Sequence, residues 1–205
     1  MNVGRPIETL WHGRRVRSAI WKTPVTGSVR VRGKNLVGDA QADRKAHGGS
    51  DKALYAYAGE DLEWWSSQLG VELGSGSMGE NLTTGGIDLS DAVVGERWQV
   101  GTVVLQVTQP RIPCYKLGIR VGDDQFPERF ADARRHGVYL RILAEGALQA
   151  GDEIQVLERP AHGLRAVEVA HIFYDQHHRA RELLCVAELA ASWHRWARRM
   201  LAPAG

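Results

Sequence analysis

The stretch ERWQVGTVVLQVTQPRIPCYKL, residues 96–117, decides how the rest of the chain is read. Its first two-thirds are two β-rich runs, ERWQVG and VVLQVTQ, with Gly101 at the turn between them. That is the signature of a β-hairpin. Its last third changes character. Pro110 and Pro113 each fix φ, remove a backbone donor and disfavour helix at the residue before. Residues 109–113 are therefore extended or turned, and YKLGI can begin a short helical turn after them. Cys114 stands at that junction, between Arg111 and Lys116. A helix start and nearby cations lower a thiol pKa and favour thiolate. A thiolate is a nucleophile or a soft metal ligand. A buried, inert thiol is the commoner state of free cysteine. The spacing alone leaves all three readings open.

Outward from the hairpin the same texture continues. Residues 16–21, 25–31 and 54–57 read as strands, and 138–159 as two β-rich ends joined through Gly146 and Gly151. Helices are expected at 59–70, closed by Gly70, and at 126–135. Many short strands with glycine turns and few helices predict a mostly antiparallel β-barrel or sandwich, mostly β with some α. The texture changes at residues 159–160. Beyond Leu164 there is no glycine before the last residue, and apolar residues recur at helical spacing. The chain thus divides into a β domain, 1–160, and a small C-terminal helical unit, 161–205. Leu183, Leu184, Leu189, Trp193, Trp196 and Leu201 are expected to form one packed face, with Cys185 in the core. Helices this short must pack on themselves, on the barrel or on another subunit.

Composition bounds the function. A net charge of +2 is too small to argue for nucleic acid, and basic residues are not interleaved with aromatics. The charge is uneven: residues 1–52 hold 11 Lys and Arg against 4 Asp and Glu. Most of that excess reads as a solvated face. Two distant cysteines imply no disulfide framework and a reducing compartment. No apolar run has signal-peptide or bilayer-spanning length. A cytoplasmic protein, without membrane or nucleic-acid partners, is the expectation.

Two further segments carry candidate chemistry. In GDAQADRKAHGGSDKALYAY (38–57), Gly48 and Gly49 permit close approach of a ligand to backbone N–H groups. His47, Ser50, Asp51 and Lys52 crowd that turn, and Lys52 suits a phosphate. A plain surface turn is the alternative. GSGSMGENLTTGGID (74–88) is a glycine-rich loop holding Glu80 and Asn81; the Asn81 amide can both donate and accept. His162, His171, His177, His178 and His194 match no zinc spacing and read as surface or helix-packing residues.

Together WKTPVTGSVRV, NLVGDAQADRKAHGGSDKALYAY, GENLTT and QPRIPCYKL, in that order, closely resemble the MOSC domain family, in its YiiM-like branch. The likeness covers nearly the whole chain, including the three-helix C-terminal extension of that branch. One departure is Met78, where the branch usually has an aromatic residue before GENL. The resemblance implies a MOSC-type β-barrel that binds the molybdenum cofactor, a pterin with a dithiolene and a terminal phosphate, with Cys114 as the protein ligand to molybdenum. Arg111, Lys116 and Lys52 suit its anionic groups, with Tyr115 beside them. His47, Gly48 and Gly49 would lie along the pocket, His47 also near the chemistry, and Asn81 and Glu80 on the far wall. The implied activity is reduction of N-hydroxylated compounds such as 6-N-hydroxylaminopurine to amines, a detoxifying reaction in which pyridoxal phosphate has no part. There is no flavin, nicotinamide or iron–sulfur fingerprint, so electrons would come from a separate reductase. A cofactor carrier and a persulfide sulfur carrier are the alternatives. The tryptophan-rich tail suggests a homodimer contact.

Overall fold

The computed structural model describes residues 1–41 and 48–202. The N-terminal third contributes short strands: β1 (Asn2–Val3), β2 (Ile7–Trp11), β3 (Arg14–Ser18), β4 (Thr23–Pro24), β5 (Val29–Arg32) and β6 (Asn35–Leu36). After a 3₁₀ turn, Ser50–Lys52, come β7 (Leu54–Ala58), helix α1 (Gly59–Leu69) and β8 (Leu82–Thr84). The hairpin follows as β9 (Arg97–Val100) and β10 (Val103–Pro110), then α2 (Tyr115–Val121) and α3 (Phe126–Asp132). Strands β11 (Val138–Ala144), β12 (Gly146–Leu148) and β13 (Ile154–Glu158) complete the β portion. The tail is α4 (Ala166–Tyr174), a 3₁₀ helix (His177–Cys185) and α5 (Ala191–Leu201).

Six strands form a curled half-barrel in the order β13-β9-β10-β11-β7-β8. All its pairings are antiparallel except β7 with β8. A smaller sheet, β12-β5-β6, and the hairpin β2-β3 accompany it. The expected hairpin forms with Gly101 at its turn, and α1 ends at Gly70 in the left-handed conformation. The N-terminal strands are displaced from their expected bounds. Arginines alternate through them and their faces are mostly exposed, so pairing partners rather than local burial set where they stop.

Strand β7, LYAYA, is buried along its whole length and separates two cores. Side chains alternate across a strand. Leu54, Ala56 and Ala58 therefore join the large barrel core, with Trp98, Leu105, Val107 and Leu140. Tyr55 and Tyr57 point the other way, into an aromatic core with Leu62, Trp65, Met78, Leu117, Phe126 and Phe130. The Trp65 indole donates to the Tyr57 hydroxyl at 2.9 Å, so this core leaves no indole N–H unsatisfied at its centre. Met78 is fully buried there, an adaptable side chain filling space among the rings.

The tail packs on itself and on the barrel. Leu164, Val169, Ile172, Leu183, Leu189, Trp193 and Ala197 belong to the same hydrophobic cluster as the strands. Its middle segment corrects the sequence reading. Cys185 is exposed, not core, and Leu184 is exposed as well. The reason is helical pitch. A 3₁₀ helix repeats every three residues; its buried positions are Ala180 and Leu183, and Val186 is buried just past its end. A reading at α-helical spacing turns the adjacent pair, 184 and 185, inward. Leu201 is likewise exposed, at the end of α5.

This pitch has a measurable consequence. Leu183→Ala lowers unfolding free energy in urea titrations by about 2–5 kcal/mol, whereas Leu184→Ala changes it by less than about 0.5 kcal/mol. Equal losses at the two positions would contradict the three-residue repeat.

Candidate functional site

Strand β10 delivers the cysteine segment. Seven of its eight residues are buried, including the polar Gln106, Thr108 and Gln109. Buried polar side chains need partners. Gln106 accepts from Arg141 at 2.9 Å. Thr108 Oγ1 donates to the Asp51 carbonyl at 2.6 Å, and Gln109 Nε2 to the same oxygen at 3.1 Å. The Asp51 carboxylate in turn accepts from Arg141 Nε at 2.9 Å and Nη2 at 2.7 Å. The turn carrying Gly49 to Lys52 is thereby fastened to β10 and β11, and Lys52 is brought beside the cysteine segment.

Past Pro110 the chain turns, and Cys114 becomes the N-cap of α2, half-buried. Leu117, Gly118 and Ile119 are buried beneath it and seat the helix on the aromatic core. Gly118 allows this seat: a Cβ there would lie 2.7 Å from the Asp123 carbonyl oxygen.

Cys114 opens into a cavity of about 100 Å³ whose wall includes Lys22, Asp39, Lys52, Asn81, Arg111 and Lys116, together with Tyr55 and Tyr139. Four cations face one carboxylate, so the described lining carries three more positive than negative charges (4 − 1). A larger cavity of about 540 Å³ borders it across Asp39, Ala40 and Gln41, and Gly49 lies on its wall. Lys22 and Asp39 neutralise one another at 2.5 Å, with both side chains buried. Burial pulls the Lys22 pKa down, against the opposing pull of Asp39. Arg111 is buried behind the thiol, its guanidinium 4.8 Å from the Tyr55 ring centre and bonded to the Met78 carbonyl. Burial works against its charge, but Tyr55, Tyr139 and Cys114 outweigh that and raise its pKa, so it stays cationic. Burial raises the pKa of both Tyr55 and Tyr139, which remain protonated phenols at neutral pH.

The structure thus gathers Cys114, Lys52, Asn81, Arg111 and Lys116 at one cavity and places Gly49 at its neighbour. Gly48 is half-buried next to Gly49. His47 lies outside the described residues. Two candidates stand apart from the lining. Tyr115 is exposed, on the outward side of α2, because the inward side is taken by 117–119. Glu80 is fully buried behind the wall, its pKa raised by burial. It accepts from the Gly76 and Met78 backbone N–H groups and from Thr83 Oγ1, so it shapes its own loop. Asn81 is a brace as well as a wall. Its Oδ1 accepts from Tyr55 N, and its Nδ2 donates to Asp39 at 2.8 Å and to the Asn2 carbonyl. Gly79, at φ +77, brings this loop against Ile20, 2.7 Å from where a Cβ would sit. Sequence reasoning missed Lys22, Asp39, Tyr55 and Tyr139. Lys22, Asp39 and Tyr55 sit inside the motifs and Tyr139 in an expected strand, with no indication in the sequence of which way they point. Among the described residues no three His, Cys, Asp or Glu side chains cluster as a metal site. The tail histidines make local bonds, His177 to the Phe173 carbonyl and His194 to the Val186 carbonyl.

A family model, "MOSC domain", matches residues 43–155. Protein YiiM of Escherichia coli is 32% identical over 187 residues, covering 87% of this chain and 82% of that protein. A protein of Gibberella moniliformis named "Reductase" is 32% identical over 152 residues, which span 72% of this chain and 27% of that longer protein. The crystal structure of YiiM from Geobacillus stearothermophilus superposes with a TM-score of 0.82 at 32% identity, covering 98% of this chain and 96% of that one. Among the described residues no helix is long and apolar enough to cross a membrane.

Two outcomes test the wall. Asp39→Ala strands the buried Lys22 ammonium and lowers stability by about 3–5 kcal/mol in urea titrations; a loss under about 1 kcal/mol would mean the pair is solvated. His136 is buried behind Arg111, and its carbonyl accepts from the Tyr55 hydroxyl. Neither ring nitrogen has a partner at hydrogen-bond geometry. Burial pulls its pKa down to about 4, although the Arg111 backbone pulls it up; Arg134, His171 and Arg111 add to the lowering. Between pH 6.5 and 4 the unfolded chain holds this proton and the folded chain does not, so stability falls as pH falls through that window. The expected loss is about 2 kcal/mol from pH 6.5 to 5, and His136→Phe removes that part of the slope.

Proposed function

Because this chain belongs to the MOSC domain family, we propose that it is a molybdenum-cofactor-dependent reductase of N-hydroxylated compounds, with Cys114 as the protein ligand to the metal. MOSC domains are associated with the molybdenum cofactor. One observation carries the reading: a single thiol in a cavity ringed by Lys22, Lys52, Arg111 and Lys116. One sulfur does not hold a metal by itself. With no further ligand cluster among the described residues, a metal here would arrive on a molecule that supplies its other donors. The surplus of positive charge favours an anionic carrier, and a soft thiolate suits a soft-ligated metal. A dithiolene pterin with a phosphate meets both conditions.

When bound, the cofactor supplies two-electron redox chemistry. The net reaction is R–NHOH + 2 e⁻ + 2 H⁺ → R–NH₂ + H₂O. The electrons come from a separate reductase protein. Within the chain, Cys114 would hold the metal, and Arg111 would keep a fixed positive charge behind the sulfur. Lys52 and Lys116 would bind anionic groups, aided by backbone N–H groups at Gly48 and Gly49. Tyr139, kept protonated by burial, is a hydroxyl donor at the wall. The similarity to a protein named a reductase supports the oxidoreductase class.

The test compares wild type and Cys114→Ser made in a host that synthesises molybdenum cofactor. We expect about one molybdenum per chain and reduction of 6-N-hydroxylaminopurine with an artificial electron donor, both lost in the variant. Bound metal without turnover would favour a cofactor carrier. Absence of molybdenum under conditions that load a known molybdoenzyme would sink the proposal and return Cys114 to sulfur transfer.

A further inference from the structure

The barrel and the helical tail meet in a second groove of about 220 Å³, beside the Cys114 cavity. Its floor is Pro110 and Ile112, residues of the segment that leads to Cys114. Its far wall is Phe173 from α4 and Trp193 and Trp196 from α5. Lys52 and Tyr139 line both spaces, so the two share a wall.

We propose that this groove is the substrate's ring-binding subsite, which takes a planar aromatic or heteroaromatic ring and points its substituent toward Cys114. The proposal rests on the reading of Cys114 as the reaction centre. Four observations carry it. The ring set is built: Phe173 stands 5.4 Å from both Trp193 and Trp196, and the Trp193 indole is fixed by a 2.8 Å bond to Gln109 Oε1. Phe173, Trp196, Tyr139 and Ile112 are only partly buried, which leaves apolar faces open to the groove. The size suits one small ring system and is well below the volume a drug-sized ligand needs. Finally, the Gln109 amide on the lining already makes two bonds within the chain, donating to Asp51 and accepting from Trp193. Recognition of the ring would therefore come mainly from stacking and apolar contact, with Lys52, Tyr139 and Ser192 as the remaining polar groups on the lining. Stacking of this kind tolerates many rings, since each presents a π face. The chemical class is N-hydroxylated planar aromatics and heterocycles broadly, with the helical tail as the part that selects them.

Ser192, exposed at the start of α5, stands at the lip of the groove. Ser192→Trp fills the groove from outside without opening the core. Trp196→Ala removes a wall. The first arm needs no cofactor: adenine is titrated into the purified chain, and each variant is expected to bind it at least tenfold more weakly than wild type. The second arm uses the molybdenum-loaded protein and compares 6-N-hydroxylaminopurine with ringless N-hydroxyurea. The ratio of their kcat/KM values is expected to fall at least tenfold in Ser192→Trp, mostly through KM, at equal molybdenum content. Adenine binding that is absent in wild type, or the same in wild type and Ser192→Trp, overturns the subsite, as does an unaltered ratio. A loaded protein that reduces neither compound sinks the reductase reading instead, and the adenine arm still decides the groove.

Discussion

Asp51 is the residue on which the site's geometry depends. Its carbonyl oxygen takes two hydrogen bonds from β10, and its carboxylate takes two from Arg141 on β11. The reason lies in β10 itself. That strand is buried on nearly its whole length yet carries Gln106, Thr108 and Gln109. Leaving such groups unpaired would cost about 1–3 kcal/mol each. They are satisfied by drawing in other parts of the chain. Gln109 reaches in two directions, to Asp51 through Nε2 and to Trp193 through Oε1. One amide therefore ties the glycine turn, the strand that leads to Cys114 and the helical tail together. The next residue after Asp51 is Lys52, which consequently stands where the two cavities meet.

A second constraint comes from β7. Its alternation sends alanines and leucine into the barrel core and tyrosines into the aromatic core. Tyr55 then serves both structure and site. Its hydroxyl satisfies the His136 carbonyl, its backbone N–H binds Asn81, and its ring lies under Arg111. The wall of the Cys114 cavity is thus the outer surface of a packed core. The same aromatic core supports Leu117 of α2 and so fixes the direction in which Cys114 faces.

How much of this could be read from the sequence follows the range of the interactions. The hairpin, β7 and α1 were legible because glycine positions and side-chain periods are local. The 3₁₀ helix was not, because its apolar residues fit a helical spacing and only the packed structure selects the tighter pitch. Cys114, Arg111, Lys116, Lys52 and Asn81 stand out because they sit in dense, ordered motifs, and the structure sets them around one cavity. Glu80 shares such a motif but turns its carboxylate back onto its own loop, and Tyr115 falls on the outward side of α2. Composition gave these residues' chemistry without their direction. Lys22 and Asp39 became visible only through pairing: Asp39 is held by Asn81, 42 positions away.

The charge balance of the cavity argues for an anionic occupant. Lys22 and Asp39 cancel each other inside the wall. Arg111 does not have that option. Among the described residues it makes no ion pair, and its guanidinium is held by the Met78 carbonyl and by the faces of Tyr55 and Phe130. Carbonyl and π contacts offset part of the cost of burying a cation. They do not neutralise it, and the field of a buried cation is screened less than it would be in water. Cys114 lines the same cavity as Arg111, and its side chain favours the charged guanidinium. A ligand carrying negative charge would draw binding energy from this buried cation, because the guanidinium is already held in place and keeps its charge.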